Sequence, residues 1–456
     1  MPLTDADRAF IRQTYRDLED RALEPDDPFY EAIHEQLDED DPVLVMLNRI
    51  ELASVQSVQF FSGFSGSGKT TELFRLRRDL RGRGYIVLYA DALQYVNQFD
   101  PLTTSDMMLL AAVAFSDALL ADEQIDLHDQ TYWDRVVAFI KRLEPRLGTV
   151  EAKAEYRTPG QAVLGGISAG LTIKGELKRR SGFREALRTF LNDHLVDFQR
   201  DVEKFFEDGA KAIQQKHGAD TQIVFLLDQL EQVKGEYDNW QAVIRAGLQV
   251  FAVNRDYLSM PYVHCVYSAP PWLTLLTRRP EAMTLLPAIP VSPKGDHIAR
   301  FERGWQMLHS VVRLRLQTEG ITRLFGPDGA SENGSLERLI AACGGHVRDL
   351  LRMLREVLLR ARTLPVTGAI LQRVIDNERR DLLQPIARED ARLLHAIGQT
   401  QDLRPETWTE AEVERHSRFL DNHMALYFTA GESWYDVHPL IREEVARLAA
   451  EAKANG

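Results

Sequence analysis

Residues Gly63-Phe64-Ser65-Gly66-Ser67-Gly68-Lys69-Thr70 fit the pattern G-x-x-x-x-G-K-[ST], and those residue types at that spacing serve a phosphate. Glycines let backbone N–H groups curl around phosphate oxygens, the lysine supplies a cation and the hydroxyl holds Mg²⁺. Gly63, Ser65, Gly66, Ser67, Gly68, Lys69, Thr70 and Thr71 are therefore the candidate nucleotide-binding residues, with Thr70 also a metal ligand. A hydrolase nucleophile elbow is excluded, because G-x-S-x-G needs a glycine where Ser67 stands. Phosphate chemistry also needs an acid to hold Mg²⁺ and a group to orient water. Asp228, closing the apolar run from Ile223, is assigned to the metal, with Asp91 as its rival. Glu231, three residues beyond Asp228, is the candidate for orienting or activating water; its plain alternative is a solvated carboxylate at a helix start.

The loop must sit between a buried strand and a helix. The stretch "SVQFF" before it reads as a strand, and "TTELFRLRRDLRG" after it places Leu73, Leu76 and Leu80 at helical spacing. The helix N-terminus adds partial positive charge to the anion site. Further strands are expected at Tyr85–Asp91, Ile223–Asp228, Tyr262–Ala269 and Leu285–Val291. Strands alternating with helices predict an α/β fold with a parallel sheet, helices on both faces and a ligand at the carboxyl ends of the strands.

The expected organisation is an N-terminal helical segment over 1–57, a P-loop core over 58–293, a helical lid over 294–381 and a winged-helix-like module over 382–456. Within the core, a mostly helical insertion spans about 92–221 and is broken by Thr158–Gly182. There Ile167, Leu171, Ile173 and Leu177 suggest a small hairpin or a flexible excursion. The last module reads as a helix from Arg388, a helix opened by the capping-box pair Thr409 and Glu412, a hairpin of "ALYFT" and "SWYDV", and a closing helix. Arg75, Arg77, Arg78, Arg81 and Arg83 are expected on the exposed face of the helix after the loop.

The chain has 456 residues and a net charge of −13, which argues against a surface built wholly for nucleic acid or anionic membrane. The tail from Ile386 onward carries seven arginines and one lysine against thirteen acids, which argues for packing or protein interaction over DNA binding. Two cysteines, Cys265 and Cys343, are too few for a disulfide framework, and twelve scattered histidines show no ligand-like spacing, so no metal beyond Mg²⁺ is expected. The start lacks a signal pattern, and the longest apolar run, Met107 to Phe115, is short for a membrane span. A cytoplasmic protein without a membrane partner is expected.

The order of phosphate loop, long insertion, D-x-x-E strand end, later strand and helical lid resembles the AAA+ and STAND ATPases. The resemblance runs roughly from Val58 to Arg362, with a winged-helix-like tail found in many members, notably origin-recognition-type proteins. It implies ATP and Mg²⁺ as cofactors and a switch or machine with protein or nucleic-acid partners. Asp228 matches the Walker B aspartate and Glu231 the second acid of the STAND-like D-x-x-[DE] form, while Gln229 stands where many AAA+ proteins have a catalytic glutamate. Ser268 resembles a sensor-one residue, and Arg348, in "CGGHVRDLLRML", the sensor-two arginine. Arg278 and Arg279 resemble an arginine finger acting on a neighbouring subunit, which implies a homo-oligomer. No N/T-K-x-D guanine motif is present, which favours ATP. The expected function is an ATP-binding, slowly hydrolysing regulatory ATPase with a protein partner, in a setting such as bacterial phage defence. The alternatives are an origin-recognition-like DNA-binding ATPase and a nucleotide-bound adaptor without turnover.

Overall fold

The computed structural model describes residues 3–127, 181–234, 239–276, 283–329, 334–405, 407 and 409–454. The chain begins with α1 (Asp5–Asp17), α2 (Pro42–Leu52), β1 (Ser57–Gly63), α3 (Lys69–Gly82), β2 (Ile86–Asp91) and α4 (Thr104–Glu123). It continues through α5 (Ser181–His217), β3 (Ile223–Asp228), α6 (Trp240–Leu248), β4 (Val263–Ala269) and β5 (Met283–Leu286). The remainder is α7 (Glu302–Phe325), α8 (Ser335–Cys343), α9 (Val347–Arg360), α10 (Gly368–Leu383), α11 (Arg388–Thr400), α12 (Glu410–Asp421), β6 (Ala425–Thr429), β7 (Ser433–Val437) and α13 (Arg442–Ala454). Two compact units result: Met46–Phe61 with Leu76–Thr284, and Met1–Val45 with Ser62–Arg75 and Leu285–Gly456.

Strands β1 to β5 make one sheet in the order β2-β3-β4-β1-β5, with parallel ladders from β2 to β3 and from β3 to β4. This is the expected α/β architecture. Strand β3 is buried along its whole length, which explains its unbroken Ile-Val-Phe-Leu-Leu run. In the β2–β3 register Asp91 lies opposite Asp228, so two acids end neighbouring strands. Helix α4 is opened by a capping box between Thr103 and Asp106 and packs against α5 and β2. Phe115 of α4 stacks on Phe206 of α5 with ring centroids 4.2 Å apart and meets Phe225 of β3 edge-on at 5.5 Å. Among the described residues α4 alone is long and apolar enough to cross a membrane, and its most apolar stretch is 83% buried inside the protein, the mark of a core helix. The hairpin expected at Ile167, Leu171, Ile173 and Leu177 lies outside the described residues.

In the other unit, Leu18, Leu308, Val312, Leu339, Leu354 and Leu371 belong to one core that joins α7 to α10 with the N-terminal segment. The C-terminal part is the expected helix, helix, antiparallel hairpin and helix: β6 pairs with β7, and α11 packs on α13 and β7. Phe428 and Trp434 stack across the hairpin at 5.4 Å.

Three expectations are corrected. The strand expected at Leu285–Val291 is β5, Met283–Leu286, and stops before Pro287, which has no N–H to give a ladder. Beyond it Ala288 and Ile289 donate their amides to Tyr427 and Gly345 instead. Helix α12 starts after Thr409, yet Thr409 makes no capping bond and the Glu412 carboxylate accepts from the Thr407 amide at 2.9 Å, so the capping box does not form. Arg75 is buried rather than exposed, because Asp41 and Glu72 pair with it.

Candidate phosphate-binding site

Strand β1 ends at Gly63 and α3 starts at Lys69, so the phosphate motif is the strand-to-helix turn that its chemistry requires. Gly66 and Gly68 adopt φ of 87° and 99°, in the left-handed region that glycine enters without a Cβ penalty. The turn is closed by Ser67, whose amide and hydroxyl both donate to the Phe64 carbonyl, at 3.1 and 2.9 Å. Lys69 is buried, and its Nζ donates to the Gly63 and Phe64 carbonyls at 2.9 Å each, which holds the ammonium across the loop. Thr70 opens the helix beside it, and the Thr71 hydroxyl accepts the Leu23 amide at 3.1 Å.

Helix α9 brings a second cation to this loop. Arg348, in its first turn, donates through Nη1 to the Ser65 hydroxyl at 2.9 Å and pairs through Nε with Asp20 at 2.5 Å. Its side chain lies so close to Gly66 that a Cβ there would meet Arg348 Cβ, Cδ and Nε at 2.5 to 2.6 Å. His346, the residue that caps α9, places Nε2 2.9 Å from the Ser65 carbonyl and Nδ1 2.8 Å from Asp349 Oδ2.

Beneath the loop, α3 is anchored by a buried charge network. Arg75 makes a two-pronged contact with Asp41, at 2.5 and 2.8 Å, and donates to Glu72 at 2.7 Å. His34 bridges Glu72 (2.9 Å) and the Pro287 carbonyl (3.3 Å). Burial alone would raise the Glu72 carboxyl, but the His34 and Arg75 charges overcome it and hold the group below its usual range. Sequence reasoning missed Asp20, His34, Asp41, His346 and Asp349. Most of their partners sit far along the chain, and the local hints were two pairs one helical turn apart, Glu72 with Arg75 and His346 with Asp349.

In the sheet unit, Asp228 is fully buried at the end of β3. Its Oδ2 accepts the Tyr89 hydroxyl at 3.1 Å and its Oδ1 the Gln229 amide at 2.7 Å. Burial first, then the Asp228 charge, pushes the Tyr89 phenol up, so Tyr89 stays a neutral donor that orients the carboxylate. Asp91 accepts the Leu93 amide and starts a short helical turn. Gln229 takes a left-handed φ of 69°, which turns the chain so that Glu231 is also buried. The Ser268 hydroxyl accepts the Leu230 amide at 2.7 Å, fixing that turn to the end of β4. Arg278 and Arg279 lie outside the described residues.

No protein-family model and no curated protein matches the chain significantly. Among solved structures the chain is similar to the Aeropyrum pernix ORC2 protein, in ADPNP–ADP complexes (10% identity, TM-score 0.39) and in an ADP form (12% identity, TM-score 0.40). Each alignment covers 96% of this chain and 98% of that one. At those scores the likeness carries no argument about the site, whose reading rests on its own geometry.

Proposed function

We propose that this chain is an ATP-binding, slowly hydrolysing regulatory ATPase of the AAA+/STAND kind, a nucleotide-dependent switch acting on a partner protein in the cytoplasm. The observation that carries the reading is the phosphate loop itself, with a glycine cradle, a buried Lys69 and Arg348 seated on Ser65 beside Gly66. A loop with left-handed glycines and a helix start is a concave anion site. A second cation from another helix gives it a way to distinguish a triphosphate from a diphosphate.

In this reading the amides of the loop and Lys69 receive the β- and γ-phosphates. The Thr70 hydroxyl and, through water, Asp228 would hold Mg²⁺, a metal that neutralises charge on the phosphate oxygens. The buried acid at the end of β3, oriented by Tyr89, fits that role. Glu231 would orient the attacking water, and Gln229 in place of a carboxylate keeps turnover slow. Arg278 and Arg279 would act on the nucleotide of a neighbouring copy, and a phage-defence setting is the biological context the resemblance favours. The test is to purify the full chain, measure bound nucleotide, and follow ATP turnover alone and with duplex DNA. Lys69→Ala should weaken ATP binding by about 10- to 100-fold, the worth of charge-assisted bonds to phosphate. Unchanged affinity in titration calorimetry would falsify the assigned site.

A further inference from the structure

Both ring nitrogens of His346 face oxygen acceptors: Nδ1 lies 2.8 Å from the Asp349 carboxylate and Nε2 2.9 Å from the Ser65 carbonyl. The His346 side chain is wholly buried, so both contacts are made inside the protein. We propose that His346 is a positioning residue for the phosphate loop: its ring sits against Asp349, and its Nε2–H holds the Ser65 carbonyl and so ties the loop to the start of α9. This inference rests on the nucleotide-binding reading and says how the site is kept in shape.

The surroundings agree. Asp349 is buried, and although burial raises its carboxyl, His346 first and then His423 and His438 hold it well below the usual range, so the cluster contains a fixed anion. Burial pushes His438 down to about 4, and its Nδ1 accepts the Leu440 amide. The ring of His423, a residue with a left-handed φ of 56°, lies 4.3 Å from that of His346. Potential ligand atoms of His346, Asp349 and His423 all lie within 4.8 Å of one another, which raises the question of a metal ion. Two ligands on a tetrahedral ion at zinc distances stay about 3.3 Å apart. The 2.8 Å between Nδ1 and Oδ2 is shorter than that, so these two atoms as placed do not share one ion.

Two conservative substitutions separate the roles of the two nitrogens. In His346→Gln the amide reaches as far as Nε2 and keeps a donor for Ser65; in His346→Asn it reaches only as far as Nδ1 and keeps the contact with Asp349. In the full chain, binding of a fluorescent ADP analogue and hydrogen exchange over residues 63–70 are the readouts. His346→Asn should bind about tenfold more weakly and exchange faster across the loop, and His346→Gln should stay within about threefold of the parent. The reverse order, equal loss in both, or no effect in either would overturn the proposal. Stoichiometric zinc in the purified protein, lost in His423→Ala, would overturn it too. Should the parent chain bind no ADP, the nucleotide reading fails, and the exchange comparison alone still decides the role of His346.

Discussion

Gly66→Ala tests whether Arg348 is seated on the loop as described. At φ 87° an alanine pays about 1–2 kcal/mol for the left-handed backbone. The new methyl would also lie 2.5 to 2.6 Å from Arg348 Cβ, Cδ and Nε, so Arg348 must leave. Its departure loses the bond to Ser65, about 1.5 kcal/mol for a charged donor, and an Asp20 ion pair that is about a third exposed and worth well under about 1 kcal/mol. The total is about 3–4 kcal/mol. Because Arg348 Cβ is itself 2.6 Å away, Arg348→Ala would keep part of the clash, and Arg348→Gly is the proper background. There Gly66→Ala should cost only its backbone strain, so a double-mutant cycle in urea unfolding should show about 2 kcal/mol of coupling. Gly68→Ala is the control: φ is 99° but nothing lies within 4 Å of its Cβ, so its cost should be the same in both backgrounds. Additivity of Gly66→Ala and Arg348→Gly to within about 0.5 kcal/mol would refute the placement of Arg348.

Asp228→Asn should weaken ATP binding more with Mg²⁺ than without it; equal losses in titrations with and without the metal would remove Asp228 from that role. Acid should unfold the chain in two windows. His438 has a folded value of about 4 against an ordinary 6.5, so the unfolded chain takes up its proton first and stability falls as pH drops from about 6.5 to about 4. Glu72 and Asp349 are held below their ordinary values, so what they contribute is present above those values and is lost on further acidification. His264 and His416, also lowered by burial, act in the first window, so the measurement is the difference between parent and His438→Gln in melts from pH 7 to 4, and identical pH slopes would sink the assignment. Arg415 and Arg418 pair with Glu389 and Asp390 inside their own module, so the full chain should show no nanomolar, sequence-specific duplex affinity at physiological salt. An affinity of that size that falls in Arg415→Ala with Arg418→Ala would promote the origin-recognition-like alternative.

The phosphate loop was legible in the sequence because eight consecutive residues carry its chemistry and its flanks show two different periods. β3 was legible for the same kind of reason: its apolar run and closing acid are contiguous, and the strand ends at Asp228 as expected. The hairpin of β6 and β7 was marked by the runs "ALYFT" and "SWYDV", and Gly431 between them takes a φ of 78°. What sequence spacing could not show is who covers a helix face. Arg75 sits in a run of arginines that reads as solvated, and only the arrival of Asp41, 34 positions away, makes it a buried ion pair. The missing capping box has a similar cause, since Thr407 competes successfully for the Glu412 carboxylate.

The histidines make the same point about the site. Twelve of them without ligand-like spacing suggested no cluster, yet His346, His423 and His438 gather around one buried aspartate. His346 precedes α9, His423 precedes β6, and His438 follows β7, so only the packing of these segments brings them together. The same unit holds the phosphate loop from several sides: Leu23 on Thr71, His34 on Glu72, and His346 and Arg348 on Ser65. A loop attached in this way cannot change shape without disturbing segments from the N-terminus to the C-terminal hairpin. The switch proposed above requires such attachments, because a ligand shifts a conformation only through contacts that differ between two states.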